Sequence, residues 1–482
     1  MLGQLPQSRR HTCSEDYDFQ CINWHGLTLL TTHRRSLYRP GQSLFVNILH
    51  RQPLSYVNVR NIKGEDGLED INTRKAGLLL RTHLFLKRTF FFYRPWNVYW
   101  ALYFGPWTWL FRGLSWFVPK QANLLIFGSN EGKYFSDNSR SLFEYIQANE
   151  ESIKAVWFTN NKEVYREVEE KYPGKVVMSP SFRASLLYLR AEQAVISFGY
   201  QDLCKMPWIP SIQVNQLWHG VPLKKIGLLR TKRKTDEDYG QSSRLFLKWC
   251  GKVDRFFVAS DYEKRNHSLS FDLPESCFRI TGNPRNDRLY SKSSAADSDV
   301  TTILYAPTFR ERGDGPGNHI RILMHPEMDE QSIHNFLEDN NCRLIVRPHW
   351  ITRPYQYSSD RIQTISHAEE PDLYNLFSVS DILVTDYSSA FIDWLILDKP
   401  VIFTPYDLEE YERKNGLLEE YHKLVPQPIC RSPNEILTSL KEAISYPDKH
   451  RDERMSMKLK YLGGEGHGAS KRVLKIMMTK DE

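Results

Sequence analysis

Two adjacent serines, Ser388 and Ser389, stand where a short apolar run, residues 382–384, gives way to apolar residues at helical spacing. The run predicts a buried parallel strand, and the spacing that follows predicts a helix. The free N–H groups of a first helical turn and its dipole favour an anion, to which hydroxyl groups can add hydrogen bonds. Thr385 and the two serines are therefore candidate phosphate ligands, whereas Asp386, a carboxylate beside a candidate anion site, is expected to fix the turn rather than to contact the ligand. The alternative is that a serine only caps the helix.

His219 follows another apolar run, residues 214–218, and has a glycine beside it and two lysines close behind, Lys224 and Lys225. A histidine in such surroundings can act as a general base near an anionic substrate. The alternative is a structural histidine, which is the more common role of a lone histidine at the end of a strand. His219 is therefore the candidate base.

Other polar side chains also come directly after apolar runs. Arg310 can fork onto a phosphate, and His349 stands at the end of a further predicted strand. Asp407 and Glu409 follow residues 401–403 and offer carboxylates suited to ribose hydroxyls. The alternative for these two acids is the solvated start of a helix.

Metal sites have little support in the sequence. No grouping of histidine and cysteine has zinc spacing, and the acidic triplet at 236–238 lies in a run dense in lysine and arginine, which indicates a solvated loop. We therefore expect no metal and no cofactor. The odd number of cysteines, seven, and the lack of a signal peptide at Met1 predict reduced thiols in the cytosol.

The elements that must position these side chains alternate between strand and helix from residue 123 onward. A chain of 482 residues allows two or three domains, and a net charge of +6 favours anionic ligands or a membrane surface over nucleic acid. The first series of strands is predicted at residues 124–128, 155–158, 176–178, 194–198 and 214–218, and the second at residues 256–258, 303–305, 344–346, 382–384 and 401–403.

Two such series in tandem predict two Rossmann-like domains with doubly wound parallel sheets and a linker near residues 270–286. In such folds the ligand binds in the crevice at the carboxyl ends of the strands. The polar residues named above all stand at such ends.

Residues 81–120 have an unusual composition, with six Lys or Arg, no Asp or Glu, and five of the twelve tryptophans. Their uncharged part, residues 95–111, is 17 residues long and is broken by Gly105-Pro106, which is short for a bilayer span. Tryptophan with flanking cations favours a segment lying on the membrane surface. Aromatic core packing and a true span are the alternatives.

Residues 1–80 predict a small, β-rich N-terminal appendage. Leu27–Leu30 and Ser43–Leu49 have the composition of strands, and residues 64–67 that of a turn.

Ordered sequence blocks between residues 134 and 473 resemble one known family, the CDP-glycerol glycerophosphotransferases, which build teichoic-acid and capsule polymers. The blocks are YFSDN at 134–138, LWHGVPLKKIG at 217–227, TGNPRND at 281–287, ILYAPTFR at 303–310, TDYSS at 385–389 and GHGASKRV at 466–473. One departure concerns a stretch where the family usually carries an aromatic after a glycine and then a Pro-Gly-Pro-like turn. This chain has NGLL at residues 415–418 and VPQP at residues 425–428 instead.

The resemblance covers residues 121–482 and implies an α/β fold of GT-B architecture, in which two Rossmann-like domains face each other across a cleft. Residues 121–275 would form the acceptor domain, and residues 276–482 the CDP-donor domain with a final helix. The N-terminal extension would comprise the appendage, residues 1–80, and the membrane-surface segment, residues 81–120.

The resemblance also implies a reaction. Glycerol phosphate would pass from CDP-glycerol to a hydroxyl of a lipid-linked glycan or polyol-phosphate acceptor, releasing CMP, at the cytoplasmic face of the cell membrane. His219 would be the base. The donor ligands would be Arg310, His349, Thr385, Ser388, Ser389, Asp407 and Glu409, and the acceptor or phosphate ligands Lys224, Lys225 and Asn138.

Two alternatives to this function stay open. One is a transferase of the same fold that uses CDP-ribitol or a nucleotide sugar. The other is a non-catalytic scaffold at the membrane, against which the joint presence of His219, Arg310, His349 and the paired serines argues.

Overall fold

The computed structural model describes residues 19–24, 27–32, 110–203, 211–229, 253–291, 299–308, 323–349, 355–464 and 466–479. The chain divides into two compact units, Met1–Thr89 and Phe90–Glu482.

The described part of the first unit is a β-hairpin. Strand β1 (Phe19–Trp24) pairs antiparallel with strand β2 (Leu27–Thr32), with Phe19 opposite Thr32. The strand predicted at Leu27–Leu30 is confirmed. The strand predicted at residues 43–49, the turn at 64–67 and most of the segment 81–120 lie outside the described residues.

The second unit contains a seven-stranded parallel sheet in the order β5-β4-β3-β6-β7-β8-β9. Its strands are β3 (Gln121–Phe127), β4 (Lys154–Thr159), β5 (Val176–Met178), β6 (Ala191–Ile196), β7 (Gln213–Gln216), β8 (Arg255–Val258) and β9 (Phe278–Ile280). All five strands of the predicted first series are confirmed. The run 256–258, which was expected to begin the second sheet, is β8 of this one.

Both faces of this first sheet are buried, which explains why its strands are continuously apolar. Leu124 and Ile126 enter the core on one face, and Leu125 and Phe127 enter the core on the other. Four helices accompany these strands along the chain: α1 (Asp137–Asn149), α2 (Lys162–Lys171), α3 (Phe182–Arg190) and α4 (Asp261–Phe271).

A second parallel sheet has five strands in the order β12-β11-β10-β13-β14. They are β10 (Thr301–Tyr305), β11 (Cys342–Val346), β12 (Ile362–Thr364), β13 (Ile382–Thr385) and β14 (Val401–Phe403). The other helices are α5 (Asp287–Ser291), α6 (Glu330–Asp339), α7 (Leu373–Val379), α8 (Ala390–Trp394), α9 (Leu408–Asn415), α10 (Tyr421–Leu424), α11 (Pro433–Ser445), α12 (Arg451–Leu462) and α13 (Ala469–Met478). The predicted strands 303–305, 344–346, 382–384 and 401–403 are confirmed.

Two corrections to the predicted boundaries follow from the sheets. The boundary at residue 275 falls before β9, which pairs with β8 and so belongs to the first sheet. The last helix, α13, places Val473, Leu474 and Met477 in the core of the first sheet rather than the second. We call the described residues of 121–280, together with α13, the N-terminal lobe, and the described residues of 299–462 the C-terminal lobe.

Both sheets reverse their strand order between the first and fourth strand, at β3/β6 and at β10/β13. Loops on the two sides of such a switch point leave in opposite directions and open a crevice at the carboxyl ends of the strands. In the C-terminal lobe this point lies between Ala306 and Asp386, and in the N-terminal lobe between Gly128 and Ser197. The sheets therefore present polar loops where the sequence placed its candidate ligands.

Residues 110–117 form a helix that lies beside α3. Phe111 is buried and its ring meets Tyr188 edge-on at 6.2 Å between centroids. Trp116 and Phe117 are 83% and 84% exposed. Among the helices in the part of the chain that the structure describes, none combines the length and apolar character needed to cross a bilayer.

Candidate active site

His219 lies in the loop after β7, with its ring held on two sides. The ring stacks on Phe198 at 4.0 Å between centroids, with 6° between the planes. Its Nδ1 atom lies 3.2 Å from the carbonyl oxygen of Ser197. Because a carbonyl oxygen can only accept, Nδ1 carries the hydrogen, and Nε2 keeps a lone pair. The imidazole is therefore in the tautomer that a base acting through Nε2 requires.

The surroundings keep His219 neutral. Burial is the largest influence and lowers the pKa of the imidazole below its ordinary value. Asp137 acts in the opposite direction and raises this pKa, whereas Arg285 lowers it further. A neutral imidazole can take a proton at physiological pH.

The backbone on either side of His219 has unusual dihedral angles. Trp218 has φ of 53° and Gly220 has φ of 130°. A tryptophan with positive φ is uncommon and persists only where the surroundings determine it. At Gly220 an added Cβ atom would lie 2.7 Å from Arg285 Nη2, so only glycine fits there.

Asn138, which was predicted to bind the acceptor substrate, forms hydrogen bonds to the backbone of this loop. Its Nδ2 atom donates to the carbonyl groups of Leu217 at 3.1 Å and Trp218 at 2.9 Å. Its Oδ1 atom accepts from the backbone N–H of Arg285 at 3.1 Å. The side chain is fully buried. The structure therefore gives Asn138 the task of holding the loop, in place of the predicted direct contact with an acceptor.

The turn after β13 is fixed by hydrogen bonds within the C-terminal lobe. Asp386 Oδ1 accepts the N–H groups of Thr308 at 2.8 Å and Tyr387 at 2.6 Å, so this carboxylate shapes the turn, as predicted. Thr385 is buried, and its hydroxyl donates to the carbonyl of Ala306 at 2.7 Å. Thr385 thus joins β13 to β10. Its hydroxyl is buried and already bonded, whereas the prediction made it a ligand of the donor substrate.

Ser388 and Ser389 lie between this turn and α8, as predicted. The Ser388 hydroxyl accepts the Ala390 N–H at 3.3 Å, whereas the Ser389 hydroxyl makes no capping bond. Helix α8 has five residues and continues into a single 3₁₀ turn, Leu395–Leu397. A Cβ atom added at Gly220 would lie 3.7 Å from Ser389 Oγ, so the serine turn meets the His219 loop across the two lobes.

The two predicted phosphate-binding lysines lie where the N-terminal lobe is joined to the C-terminal lobe. Residues 223–225 pair antiparallel with residues 416–418, through the bonds Lys225 N–H to Gly416 O at 3.2 Å and Leu418 N–H to Leu223 O at 3.0 Å. The sequence departure at residues 415–418 therefore falls on this junction. Lys224 Nζ lies 5.4 Å from the ring centroid of Tyr411 in the C-terminal lobe.

His349 and Lys224 come from different lobes but lie close enough to interact. Burial lowers the pKa of His349 first, and the charges of Lys224 and His367 lower it further. His367 in turn meets the ring of Tyr134, from the N-terminal lobe, edge-on at 5.5 Å. The predicted acceptor lysine and the predicted donor histidine thus share one region of the interlobe surface.

The two candidate ribose ligands, Asp407 and Glu409, lie in different environments. Asp407 faces inward, because its Oδ1 atom accepts the Tyr387 hydroxyl at 3.0 Å, and Tyr387 stacks on Tyr411 at 3.7 Å. Glu409 is exposed on α9. Of the pair, Asp407 is the one that the structure places beside the serine turn.

Arg310 and the acidic triplet 236–238 lie outside the described residues. Within the described ranges, no group of three His, Cys, Asp or Glu side chains could hold a metal ion.

Arg285 is the residue that the sequence analysis did not assign. It lies between the lobes, where Nη1 donates to Asp137 Oδ1 at 2.6 Å and to the His219 carbonyl at 2.7 Å, and Nη2 donates to Asp393 Oδ2 at 2.7 Å. Burial raises the pKa of the Asp393 carboxyl, which also accepts the Tyr374 hydroxyl at 2.9 Å. The only signal in the sequence was the place of Arg285 in the block at 281–287.

A neutral histidine that faces a serine turn across two doubly wound sheets defines an α/β enzyme of the group-transfer type. The sequence model of CDP-glycerol:poly(glycerophosphate) glycerophosphotransferases matches residues 110–479, which is more than three quarters of the chain. The protein belongs to this family, and it is an enzyme of this type.

Curated relatives agree with this assignment. The chain is 27% identical over 369 residues to a teichoic acid glycerol-phosphate transferase of Staphylococcus aureus (strain NCTC 8325 / PS 47), covering 73% of this chain and 92% of that protein. It is 27% identical over 353 residues to a teichoic acid poly(glycerol phosphate) polymerase of Bacillus spizizenii (strain ATCC 23059 / NRRL B-14472 / W23), covering 68% of this chain and 86% of that one.

A solved structure has the same fold. The wall teichoic acid polymerase TagF, in crystals soaked with CDPG, superposes with a TM-score of 0.63 at 22% identity, over 74% of this chain and 89% of that one.

Proposed function

We propose that this enzyme transfers glycerol phosphate from CDP-glycerol to a hydroxyl of a lipid-linked glycan or polyol-phosphate acceptor and releases CMP. The product would be a teichoic-acid-like or capsular polymer. Family membership supports the donor and the reaction type, and TagF, a relative in fold, was soaked with CDPG. The observation that carries the proposal is the neutral His219 in a loop whose next residue, Gly220, lies beside Ser389 of the other lobe.

The proposed architecture is GT-B, with the N-terminal lobe binding the acceptor and the C-terminal lobe binding the CDP donor. The acceptor hydroxyl gives its proton to Nε2 of His219, and its oxygen attacks the β-phosphorus of CDP-glycerol. The bond from this phosphorus to the bridging oxygen breaks, and CMP leaves with the electron pair. One phosphodiester forms as one phosphoanhydride is lost, so atoms and charge balance.

Charge that builds on the departing CMP phosphate requires donors in place before the reaction. The candidate donors that the structure describes in the C-terminal lobe are the Ser388 and Ser389 hydroxyls and His349, and Lys224 reaches the region of His349 from the other lobe. Arg310 is a further candidate from the sequence alone. Asp407 is the candidate ligand for the ribose. We propose that the reaction needs no metal, because Lys224 and Arg310 carry positive charge and the serine hydroxyls can donate hydrogen bonds.

The direct test is incubation of the full-length enzyme with CDP-glycerol, or separately with CDP-ribitol, over a lipid-linked acceptor, with CMP measured by chromatography. We expect CMP from CDP-glycerol only when the acceptor is present. Turnover of CDP-ribitol in preference to CDP-glycerol would change the assigned donor. Binding of either nucleotide without any CMP release would favour the scaffold.

We further propose that the enzyme lies on the cytoplasmic face of the membrane, held by the segment 81–120 and its neighbour α3. Trp116 and Phe117 are exposed, and on α3 the side chains of Phe182 and Leu186 are 86% and 41% exposed. Neither residues 110–120 nor residues 181–191 contain an acid. Each cation near an anionic surface adds about 1 kcal/mol, and exposed aromatic rings add burial that salt does not screen.

Membrane binding is testable by co-sedimentation with vesicles rich in anionic lipid. We expect the wild-type protein to sediment at low salt, to be partly released by high salt, and to need detergent for full release. The double variant Trp116→Ser/Phe117→Ser should bind markedly less. A matched pair of exposed apolar residues on the C-terminal lobe, Tyr446→Ser/Leu459→Ser, should bind as the wild type does. A wild-type protein that stays in the supernatant at low salt would refute membrane attachment.

A further inference from the structure

We infer that Arg285 and Asn138 are positioning residues for His219, and that the contribution of Arg285 depends on docking of the two lobes. The inference rests on the proposed function, because it takes His219 as the general base. It assigns a role to a buried arginine that the proposed reaction does not otherwise use.

The first observation is that the backbone carbonyl groups of residues 217–219 all accept a hydrogen bond from these two side chains. Asn138 holds the first two carbonyls, and Arg285 Nη1 holds the third, that of His219 itself. Asn138 also contacts the Arg285 backbone, since its Oδ1 atom accepts the main-chain N–H of Arg285. All three consecutive carbonyl groups of the loop are therefore held, and none can change its direction without breaking a hydrogen bond.

The second observation is the strain at this loop. Positive φ at Trp218 costs free energy that must be offset by the surroundings. The hydrogen bonds from Asn138 and Arg285 act on the residues that carry this strain. With the ring itself tied to the Ser197 carbonyl and stacked on Phe198, the position of Nε2 follows from the position of this backbone.

The third observation is that Arg285 also connects the lobes. Its guanidinium pairs with Asp137, at the start of α1 in the N-terminal lobe, and with Asp393, in α8 of the C-terminal lobe. Helix α8 begins directly after Ser389. A movement of the serine turn is therefore transmitted to the His219 carbonyl through Asp393 and Arg285.

The charges around His219 give this arrangement a signature that a purely structural role would lack. The charged or titratable groups that influence the imidazole are Asp137 on α1, Arg285 in the segment between the lobes, and His267 on α4. Asp137 raises the pKa of His219, whereas Arg285 and His267 lower it. Removing Arg285 and removing Asp137 should therefore shift the acidic limb of the rate profile in opposite directions.

The test is the dependence of kcat/KM on pH for CMP release by the full-length enzyme, with CDP-glycerol and the lipid-linked acceptor. A base must be unprotonated, so activity falls as the pH falls through the pKa of His219. In Arg285→Gln the midpoint of this limb should move to higher pH, and in Asp137→Asn to lower pH. Arg279→Gln is the matched control, because the hydrogen bonds that Arg279 makes within the described residues go to the nearby carbonyls of Ser276 and Phe278.

Two variants separate charge from position. Asn138→Ala removes the N–H donors without changing charge, so kcat should fall on the order of 100-fold with the acidic limb unmoved. Arg285→Lys keeps the positive charge but loses the two-armed guanidinium that reaches several partners at once. It should therefore also lower kcat and leave the acidic limb of the rate profile in place. Donor binding measured by calorimetry, and circular dichroism, establish that each variant is folded.

The outcomes distinguish the inference from the proposed function. Opposite shifts in Arg285→Gln and Asp137→Asn, with lower kcat in Asn138→Ala, support the positioning role. The positioning role would be overturned if the acidic limb stayed at its wild-type position in Arg285→Gln and Asp137→Asn, or if Asn138→Ala kept the wild-type kcat. If Arg285→Gln does not fold, the Asp137→Asn shift and the Asn138→Ala rate decide. A wild-type enzyme that releases no CMP would overturn the proposed function instead.

Discussion

The His219 loop and the Ser388–Ser389 turn face each other, yet they are held in different ways. The described hydrogen bonds that fix the serine turn come from the C-terminal lobe, chiefly from Thr308 and Tyr387 to Asp386. The His219 loop depends on Asn138 from α1 and on Arg285, which is itself paired with Asp393 of the other lobe.

The difference between these two regions matches what each has to do. Several donors of ordinary geometry suffice to bind a phosphate, so a turn stabilised within one lobe is adequate. A general base must have one tautomer and one position relative to the attacking oxygen. We therefore expect the serine turn to keep its shape without the N-terminal lobe, whereas the bond from Arg285 to the His219 carbonyl is tied through Asp393 to the docked lobes.

The strongest test of this comparison is His219→Ala. The rate of transfer should fall by about 10²–10⁴-fold, because no base remains to accept the proton of the acceptor hydroxyl. The dissociation constant of CDP-glycerol should stay near the wild-type value, measured by calorimetry beside the CMP assay. His422→Ala, a change at an exposed histidine on α10, serves as control. Loss of donor binding would instead make His219 a donor ligand.

The converse change is Ser388→Ala with Ser389→Ala. Two charge-assisted hydrogen bonds at about 1.5 kcal/mol each would be lost, discounted for the backbone N–H groups that remain, so the donor dissociation constant should rise roughly 10-fold or more. Calorimetric titration of the variant with CDP-glycerol measures this directly. Unchanged affinity would leave these serines only the helix-capping role that Ser388 already has.

A smaller effect is expected from pH alone. Burial lowers the pKa of His219, so activity should persist below pH of about 6.5, the ordinary value for histidine, before falling at lower pH. The folded state holds the neutral form, so unfolding takes up protons below the unfolded pKa. The free energy of unfolding should therefore decrease as the pH falls through this range. A rate profile centred above pH of about 7 would contradict the neutral, buried imidazole.

The smallest effect is expected from metal removal. Excess EDTA should leave CMP release largely unchanged, because the proposed donors neutralise the leaving phosphate without an ion. The assay is repeated after dialysis and again with added Mg²⁺. Complete loss in EDTA with recovery in Mg²⁺ would show that a metal completes the serine turn and would overturn the metal-free mechanism.

Local patterns explain how much of the fold was predictable. Buried parallel strands are short and continuously apolar, so runs such as residues 382–384 and 401–403 stand out in the sequence. Strands β9 and β12 were missed, because each has only three residues and one of them buried. Three residues with a single buried position are too few to show the pattern of a strand.

The sequence by itself determined the alternating α/β order, the strand-end positions of His219 and the paired serines, and the resemblance to the family. It also indicated that Asp386 shapes its turn. These features depend on residues that are close together along the chain.

Only the tertiary structure decided which strand belongs to which sheet, and which polar side chains are supports rather than ligands. Asn138 and Thr385 have the residue types of ligands, but they are buried and bonded to backbone carbonyls from other elements. Arg285 acquires its role from Asp137 and Asp393, which are distant in sequence and meet it only when both lobes are folded together. Burial, tautomer and interlobe pairing arise from contacts that no local pattern of residues encodes.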